Sequence, residues 1–492
     1  MRKKLGCLIL AMILVLTSSA MAVCAAQPDR TYTYEENTPV PSTNAYQVKI
    51  IVDESVMGVT SLNDPRDIFV DNDDRTFILD AGNCRVLILD KNYRCIKELK
   101  EFTHEGKTLT LATGAQGLFY REETQKLYIA DTENDRILVT DLDGNISRIY
   151  TKPVDELLDP TVPYKPMKII VDNMGIMYVT SGNINTGAML VDSGNSFLGF
   201  YGTNKLKMTA AMKMEYFWRS ILSDAANDQS QMSFQPVEFN NLFWSEDRFV
   251  YTVSPLTESV ASAISKLNAL GNNVFPQSVD LFELTSTRKI TGMVLTDITV
   301  DNEGAFTIVD ITTGRLFQYD EGCNLLAVFG GIGDQKGLFT QPVSLESDSE
   351  NRLLVLDAGK RTITVMEQTF YGKMIRSANY LYNQGLYMES VEPWMEVLRM
   401  NANYTQAYMG LGKAYMSMGE YEKAMEYFKL GKDKDGYGEA KAALRDERVR
   451  ENFAVIAAIV VLAMVGILFY EKISDVVADV FWSIRKRRGE KQ

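Results

Sequence analysis

Six times along the chain a short polar turn joins two apolar runs, at a spacing near 50 residues. The turns are DNDDR (71–75), REETQ (121–125), DNMG (172–175), SEDR (245–248), DNEG (301–304) and DSENR (348–352), and their starts lie 50, 51, 73, 56 and 47 residues apart. A second marker follows most of them: ILDAGNCRVLIL (78–89), IADTENDRILV (129–139), IVDITTGRLFQ (308–318) and VLDAGKRTITV (355–365). Asp80, Asp131, Asp310 and Asp357 hold one position of this motif; Arg85, Arg136 and Arg315 hold another, where the last copy has Thr362. A period of 40–50 residues with four short strands per unit is the pattern of propeller blades, so the chain is expected to be mainly β, with a six-bladed β-propeller over 45–369.

The first unit displays its strands as RDIFVD, RTFILD, RVLILD and CIKELK. Apolar and polar residues alternate only partly, as in strands buried on both faces. The sixth unit ends at TITVME and lacks a fourth strand of its own, while AYQVKIIVD (45–53) is a spare strand ahead of the first. That segment is expected to complete the sixth blade and close the ring, because an open ring would leave an unpaired edge. The Asp–Asn–Cys group in residues 80–84 has the donor types of a metal site. Its copies keep the Asp and vary the rest, which points to a carboxylate that accepts backbone N–H groups in a turn.

The pattern P-x-x-I-x-V-D…L-D-x-G-N-x-R-V resembles the NHL repeat, and FGGIGDQKGLFTQP (329–342) resembles that family's glycine-rich lead-in. The resemblance is clear in units 1, 2, 5 and 6 and weak in units 3 and 4; unit 3 has Ser181 in the Asp position. Extra length between units 3 and 4 (205–234) carries Leu206, Ala210, Met214, Phe217, Ile221 and Leu222 at helical spacing and is read as one amphipathic helix, either packed on the ring or serving as a partner-binding lid.

From Phe370 the period becomes helical. Two stretches align at an offset of 34, pairing Gly385 with Gly419, Tyr387 with Tyr421, Ser390 with Ala424 and Trp394 with Phe428. AYMGLGKAYMSMGEYEKAMEYF (407–428) resembles a tetratricopeptide repeat, so 370–437 is read as two such repeats capped by a helix over 438–452 that continues into the next segment. The resemblance implies a groove for helices or extended peptides, lined by Asn379, Tyr382 and Asn383 in the first copy and by Met409, Lys413 and Met416 in the second.

The two ends speak to location. Residues 1–26 read as a signal peptide: Arg2, Lys3 and Lys4, an apolar run from Leu5 to Leu16, then Ala20-Met21-Ala22. Val23 before Cys24 is not the small residue a lipoprotein signal requires. FAVIAAIVVLAMVGILFY (453–470) has no charge; at about 1.5 Å per residue it covers roughly 27 Å, enough for a transmembrane helix. The basic residues of the 471–492 tail place that tail in the cytoplasm and the ring outside. ISDVVADVFWSI (473–484) is read as an amphipathic helix on the inner membrane surface.

The sequence offers little for catalysis. The formal charge of −13 argues against nucleic acid as a partner. His104 is the single histidine, no Cys–His zinc spacing exists, GGIGDQKG (330–337) lacks a phosphate loop's Gly-Lys-Ser/Thr ending, and DNDD (71–74) lacks a calcium loop's glycine and distal Glu. Cys84, Cys95 and Cys323 are read as isolated thiols, with a Cys84–Cys95 disulfide left open. The expected function is a non-catalytic, membrane-tethered extracytoplasmic scaffold that needs no cofactor and binds protein or peptide partners at the helical groove or a propeller face. Chains that combine such a ring, such helices and a span resemble bacterial surface proteins, some of them accessories to solute transporters. The alternative is a calcium-dependent propeller hydrolase or lyase, lactonase-like, which rests on fold alone.

Overall fold

The computed structural model describes residues 31–35, 38–184, 186–202, 239–254, 263–275 and 293–489. The leader expected over 1–26 and the helix expected over 205–234 lie outside the described residues. Two compact units divide the chain, residues 1–380 and 381–492.

The first unit is a six-bladed propeller. Blade 1 is Pro65–Val70, Thr76–Asp80, Arg85–Leu89 and Cys95–Leu99; blade 2 is Gly117–Arg121, Lys126–Asp131, Arg136–Thr140 and Ile146–Tyr150; blade 3 is Lys165–Val171, Met177–Gly182, Ala188–Val191 and Phe197–Tyr201. Among the described residues blade 4 shows three strands, Asn241–Trp244, Val250–Val253 and Ile264–Leu267. Blade 5 is Leu295–Val300, Phe306–Asp310, Arg315–Tyr319 and Leu325–Gly330. Its outer edge is extended by a hairpin of Thr31–Glu35 and Thr38–Ser42, in which Tyr32 lies opposite Val328. Blade 6 is Pro342–Ser347, Leu353–Asp357 and Thr362–Gln368, completed by Tyr46–Val52, which pairs antiparallel with Thr362–Gln368. The spare strand therefore closes the ring, and the six inner strands touch one another in a closed cycle.

Strands such as Thr76–Asp80, Arg85–Leu89 and Leu353–Asp357 are buried along their whole length. Their apolar side chains form cores between blades: Phe77, Leu79, Val86 and Ile88 of blade 1 meet Leu118, Tyr120, Leu127 and Ile129 of blade 2. Each such side chain is worth about 1.5–3 kcal/mol when fully buried, which explains the incomplete alternation in the sequence. At the closing strand, Tyr46 stacks on Phe329 with ring centroids 4.5 Å apart and accepts a 2.8 Å hydrogen bond from Gln318. The one-turn helix α1 (Glu54–Met57), capped by the Asp53 carboxylate, carries the chain from this strand toward blade 1.

Helix α2 (Phe370–Asn383) follows the last strand. Its Arg376 is buried and reaches the inner turn of blade 5, with a nitrogen 2.9 Å from Asp301 and 2.8 Å from Glu303. The second unit contains α3 (Tyr387–Met400), α4 (Thr405–Ser417), α5 (Tyr421–Leu430) and α6 (Lys434–Glu451), each packed on the next. α3 and α5 begin 34 residues apart. Close approach is built in: a Cβ on Gly410 would lie 2.5 Å from the Trp394 ring, and one on Gly412 would lie 2.6 Å from Phe428.

The last helix before the apolar segment departs from expectation. α6 starts four residues before the expected 438, and it does not run on unbroken. At Asn452 the backbone leaves helical geometry, the Asn452 side-chain amide bonds the Arg448 carbonyl at 2.8 Å, and α7 (Phe453–Leu468) continues at a 69° bend. α8 (Tyr470–Gly489) follows. Among the described residues no single helix is long and apolar enough to cross a membrane; α6 and residues 453–467 meet that test only as a bent pair.

Candidate functional site

One register position of the inner strands faces the ring axis. It is the residue before Ile68 in blade 1, whose partner Ile78 lies two residues ahead of Asp80. Counted the same way in each blade, the position holds Asp67, Gly117, Lys168, Asn241, Asp297 and Ser344. In blades 1, 3, 5 and 6 the register shifts just here, between Pro65 and Asp67, Pro166 and Ile169, Leu295 and Asp297, and Pro342 and Ser344. A bulge re-aims a side chain out of the regular pleat, and these bulges bring side chains from different blades together.

The resulting cluster passes hydrogen bonds from blade to blade. The Leu118 N–H of blade 2 donates to Asp67 Oδ2 at 2.8 Å, the Ile68 N–H of blade 1 donates to Ser344 Oγ at 3.3 Å, and the Leu345 N–H of blade 6 donates to Asp297 Oδ2 at 2.8 Å. Lys168 Nζ donates to Asp67 Oδ1, and Asn241 Nδ2 donates to Asp297 Oδ1, which also accepts from its neighbour Ile298 at 2.7 Å. Ser344 Oγ lies 3.0 Å from Asp67 Oδ1 and 2.6 Å from Asp297 Oδ2. Blade 2 supplies a glycine for lack of room: a Cβ on Gly117 would lie 2.2 Å from the Met167 carbonyl oxygen. Two residues along the blade 6 strand, the Glu346 carboxylate accepts from Thr299 Oγ1 at 3.2 Å.

Three carboxylates share one ammonium here, and burial sets their behaviour. Burial pushes the Asp297 carboxyl up to about 6; the Lys168 charge pulls it down and the Asp67 charge pushes it further up. Burial, reinforced by the charges of Asp297 and Asp67, pushes Glu346 well above the usual carboxylate range. Burial works against the Lys168 ammonium, yet the charges of Asp67 and Asp297 outweigh it and hold its pKa above the ordinary lysine value.

The repeated Asp has another task. Asp80 accepts from Asn63 N–H at 2.7 Å, Asn83 Nδ2 at 2.8 Å and Arg85 Nε at 2.6 Å. Asp131 does the same for Ala112 N–H, Asn134 and Arg136. Asp357 accepts four backbone N–H groups, from Thr340, Gln341, Gly359 and Lys360. In blade 3, Ser181 Oγ takes the equivalent bond from Lys165 N–H at 3.0 Å. The carboxylates hold the loops that enter blades 1, 2, 5 and 6. Cys84 sits in the left-handed region at φ 52 as the last residue of this turn. Among the described residues Cys84, Cys95 and Cys323 are not disulfide-bonded, and Cys95 stands opposite Leu89 rather than Cys84. His104 ends a short strand after blade 1, its Nδ1 3.4 Å from the Ile146 carbonyl.

The residues expected to line a helical groove are distributed differently from one another. Asn383 and Lys413 are exposed, while Asn379, Tyr382, Met409 and Met416 are half-buried. Tyr382 packs on Tyr387 at 5.2 Å, Met409 lies against Gly431, and Met416 packs against the Ala424, Phe428 and Ala440 cluster.

A divalent cation does not fit the axis. The oxygens of Asp67 and Asp297 are committed to Lys168, Asn241, Ser344 and backbone N–H groups, and among the described residues no three His, Cys, Asp or Glu side chains converge as a metal requires.

No family model matches the chain, and no curated protein matches it. Solved structures do resemble it. A virginiamycin B lyase from Staphylococcus aureus is 11% identical, covering 66% of this chain and 88% of that one at a TM-score of 0.35. A gluconolactonase from Xanthomonas campestris is 13% identical, covering 69% and 99% at 0.39. The WD40 β-propeller domain of Doa1 is 12% identical, covering 66% and 98% at 0.34. The propeller assignment here rests on the strand order and the closed cycle of inner strands.

Proposed function

We propose that the chain is a non-catalytic scaffold that holds protein or peptide partners, tethered to a membrane by its C-terminal helices with the ring on the extracytoplasmic side. The observation that carries this reading is the state of the axial cluster. Its charged groups are engaged with one another and with backbone N–H groups, so a reacting substrate would first have to break the contacts that join the blades. The single histidine ends a short strand after blade 1 and meets the last strand of blade 2, at the Ile146 carbonyl. Support for the tether comes from α7, where Phe453, Ile459, Leu462 and Ile467 are 66%, 60%, 69% and 76% exposed; so large an apolar surface belongs against lipid or another protein. The finer reading takes the ring as an NHL-type propeller and the helices as tetratricopeptide repeats, with Asn379, Tyr382, Asn383, Met409, Lys413 and Met416 facing a bound peptide.

The test uses the full-length chain in membranes. Replacing the exposed Asn383 and Lys413 with alanine is expected to change stability by less than about 0.5 kcal/mol, while partner recovery after detergent extraction falls severalfold. Unchanged recovery with an unchanged melting curve would remove the helical groove from the binding surface and leave the propeller faces.

A further inference from the structure

The hydrogens of the axial cluster do not balance if every carboxylate is ionised. Ser344 Oγ contacts a carboxylate oxygen on each side, Asp67 Oδ1 at 3.0 Å and Asp297 Oδ2 at 2.6 Å, and it accepts the Ile68 N–H as well. A hydroxyl has one hydrogen to donate and two lone pairs. With both carboxylates ionised, one of the two O···O contacts has no proton in it and sets lone pair against lone pair.

A single added proton completes the count. Placed on Asp297 Oδ2 it points to Ser344 Oγ across the shorter contact, as a carboxylic acid donor does. Ser344 then accepts from Asp297 and Ile68 and donates to Asp67 Oδ1. Asp67 also receives Lys168 Nζ and the Leu118 N–H, so its charge is met by the one ammonium present. Asp297 Oδ1 receives Asn241 and Ile298, and Oδ2 keeps a lone pair for the Leu345 N–H. Placing the proton on Asp67 fits worse, because that carboxylate is the one beside the lysine.

We propose that Asp297 carries a proton in the folded ring and that the directed chain Asp297–Ser344–Asp67 is a pH-sensitive clasp joining blades 5, 6 and 1 at the axis. The charged groups around it come from four inner strands: Asp67 of blade 1, Lys168 of blade 3, Asp297 itself, and Glu346 of blade 6. The raised Asp297 value, about 6 against an ordinary 3.8, agrees in direction. Because the folded value lies above the unfolded one, this contribution to stability is complete below the unfolded value. It is lost as pH rises through about 6. The clasp is thus tightest in mild acid and loosens toward neutrality, the reverse of a salt-bridged carboxylate.

The experiment is the melting temperature of the full chain, followed between about pH 4 and about pH 8, for wild type, Asp297→Asn and Glu346→Gln. An Asn side chain is neutral at every pH and retains a donor toward Ser344, although its NH2 cannot accept the Leu345 N–H; the pH dependence, not the absolute stability, is therefore the readout. The expected result is that wild type loses stability relative to D297N as pH rises through the Asp297 range, with a slope approaching one proton, while E346Q keeps that fall. A difference curve that is flat or rises overturns the proposal. A fall that vanishes in E346Q and persists in D297N also overturns it, by placing the proton on Glu346. Should D297N fail to fold, infrared spectra of wild type with carboxyl-labelled aspartate decide the question. A protonated aspartate band at the acid end that fades toward the neutral end supports the clasp, and its absence at the acid end overturns it.

Discussion

Two sets of side chains recur around the ring, and they are built on opposite plans. At the loop entrance the same residue returns: Asp80, Asp131, Asp310 and Asp357 each gather N–H groups from their own blade and the loop that enters it. At the axis the register position is the same but the residue changes, from Asp67 through Gly117, Lys168, Asn241 and Asp297 to Ser344, and most bonds run between blades. A local task repeats with the local fold. A shared task is divided, because six identical acids on one axis would repel one another, and a single cluster needs one donor for each acceptor.

Substitutions sharpen this contrast. Lys168→Met should have the largest effect, about 3–5 kcal/mol in urea unfolding, because removing one member of a buried pair leaves the other charge uncompensated. If it costs less than the loop-entrance variants, the axis is not the shared element described. Asp357→Ala should cost on the order of 2–3 kcal/mol, since its N–H partners lose their acceptor but regain some solvent at the loop. Hydrogen exchange should show that loss confined to the 340–360 loop, whereas the Lys168 variant should raise exchange in several blades. Ser181→Ala should be smallest, about 1 kcal/mol for one lost bond to Lys165 N–H. A cost as large as that of Asp357→Ala would mean that the serine is more than a reduced copy of the acid.

The same contrast explains what could be read in advance. The blades, the turn role of Asp80 and the closing strand were legible because each follows from a residue repeated at a fixed interval or from one strand too many. Asp67, Lys168, Asn241, Asp297, Ser344 and Glu346 were missed because a search for repetition discards positions that vary. A signal was present: P-R-D, P-M-K and P-V-S place a polar residue two positions after a proline at the head of three inner strands. Only the register makes them equivalent. The bend at Asn452 was hidden for another reason. Composition favours one long helix across 438–470, and a single side-chain amide bonding its own backbone decides otherwise.

The strand that closes the ring also sets a clock. Tyr46 and Gln368 meet in blade 6 although 322 residues separate them. A chain made from its N-terminus carries Tyr46–Val52 without its partner until Thr362–Gln368 has been synthesised. At roughly 5–20 residues per second that wait is on the order of 15–65 s. Bringing ends so distant together costs about 5 kcal/mol of chain entropy, only slightly more than for a loop half as long. Delay, rather than distance, is therefore the hazard: the edge that the finished ring conceals stays open to other strands for most of the time each molecule takes to be made.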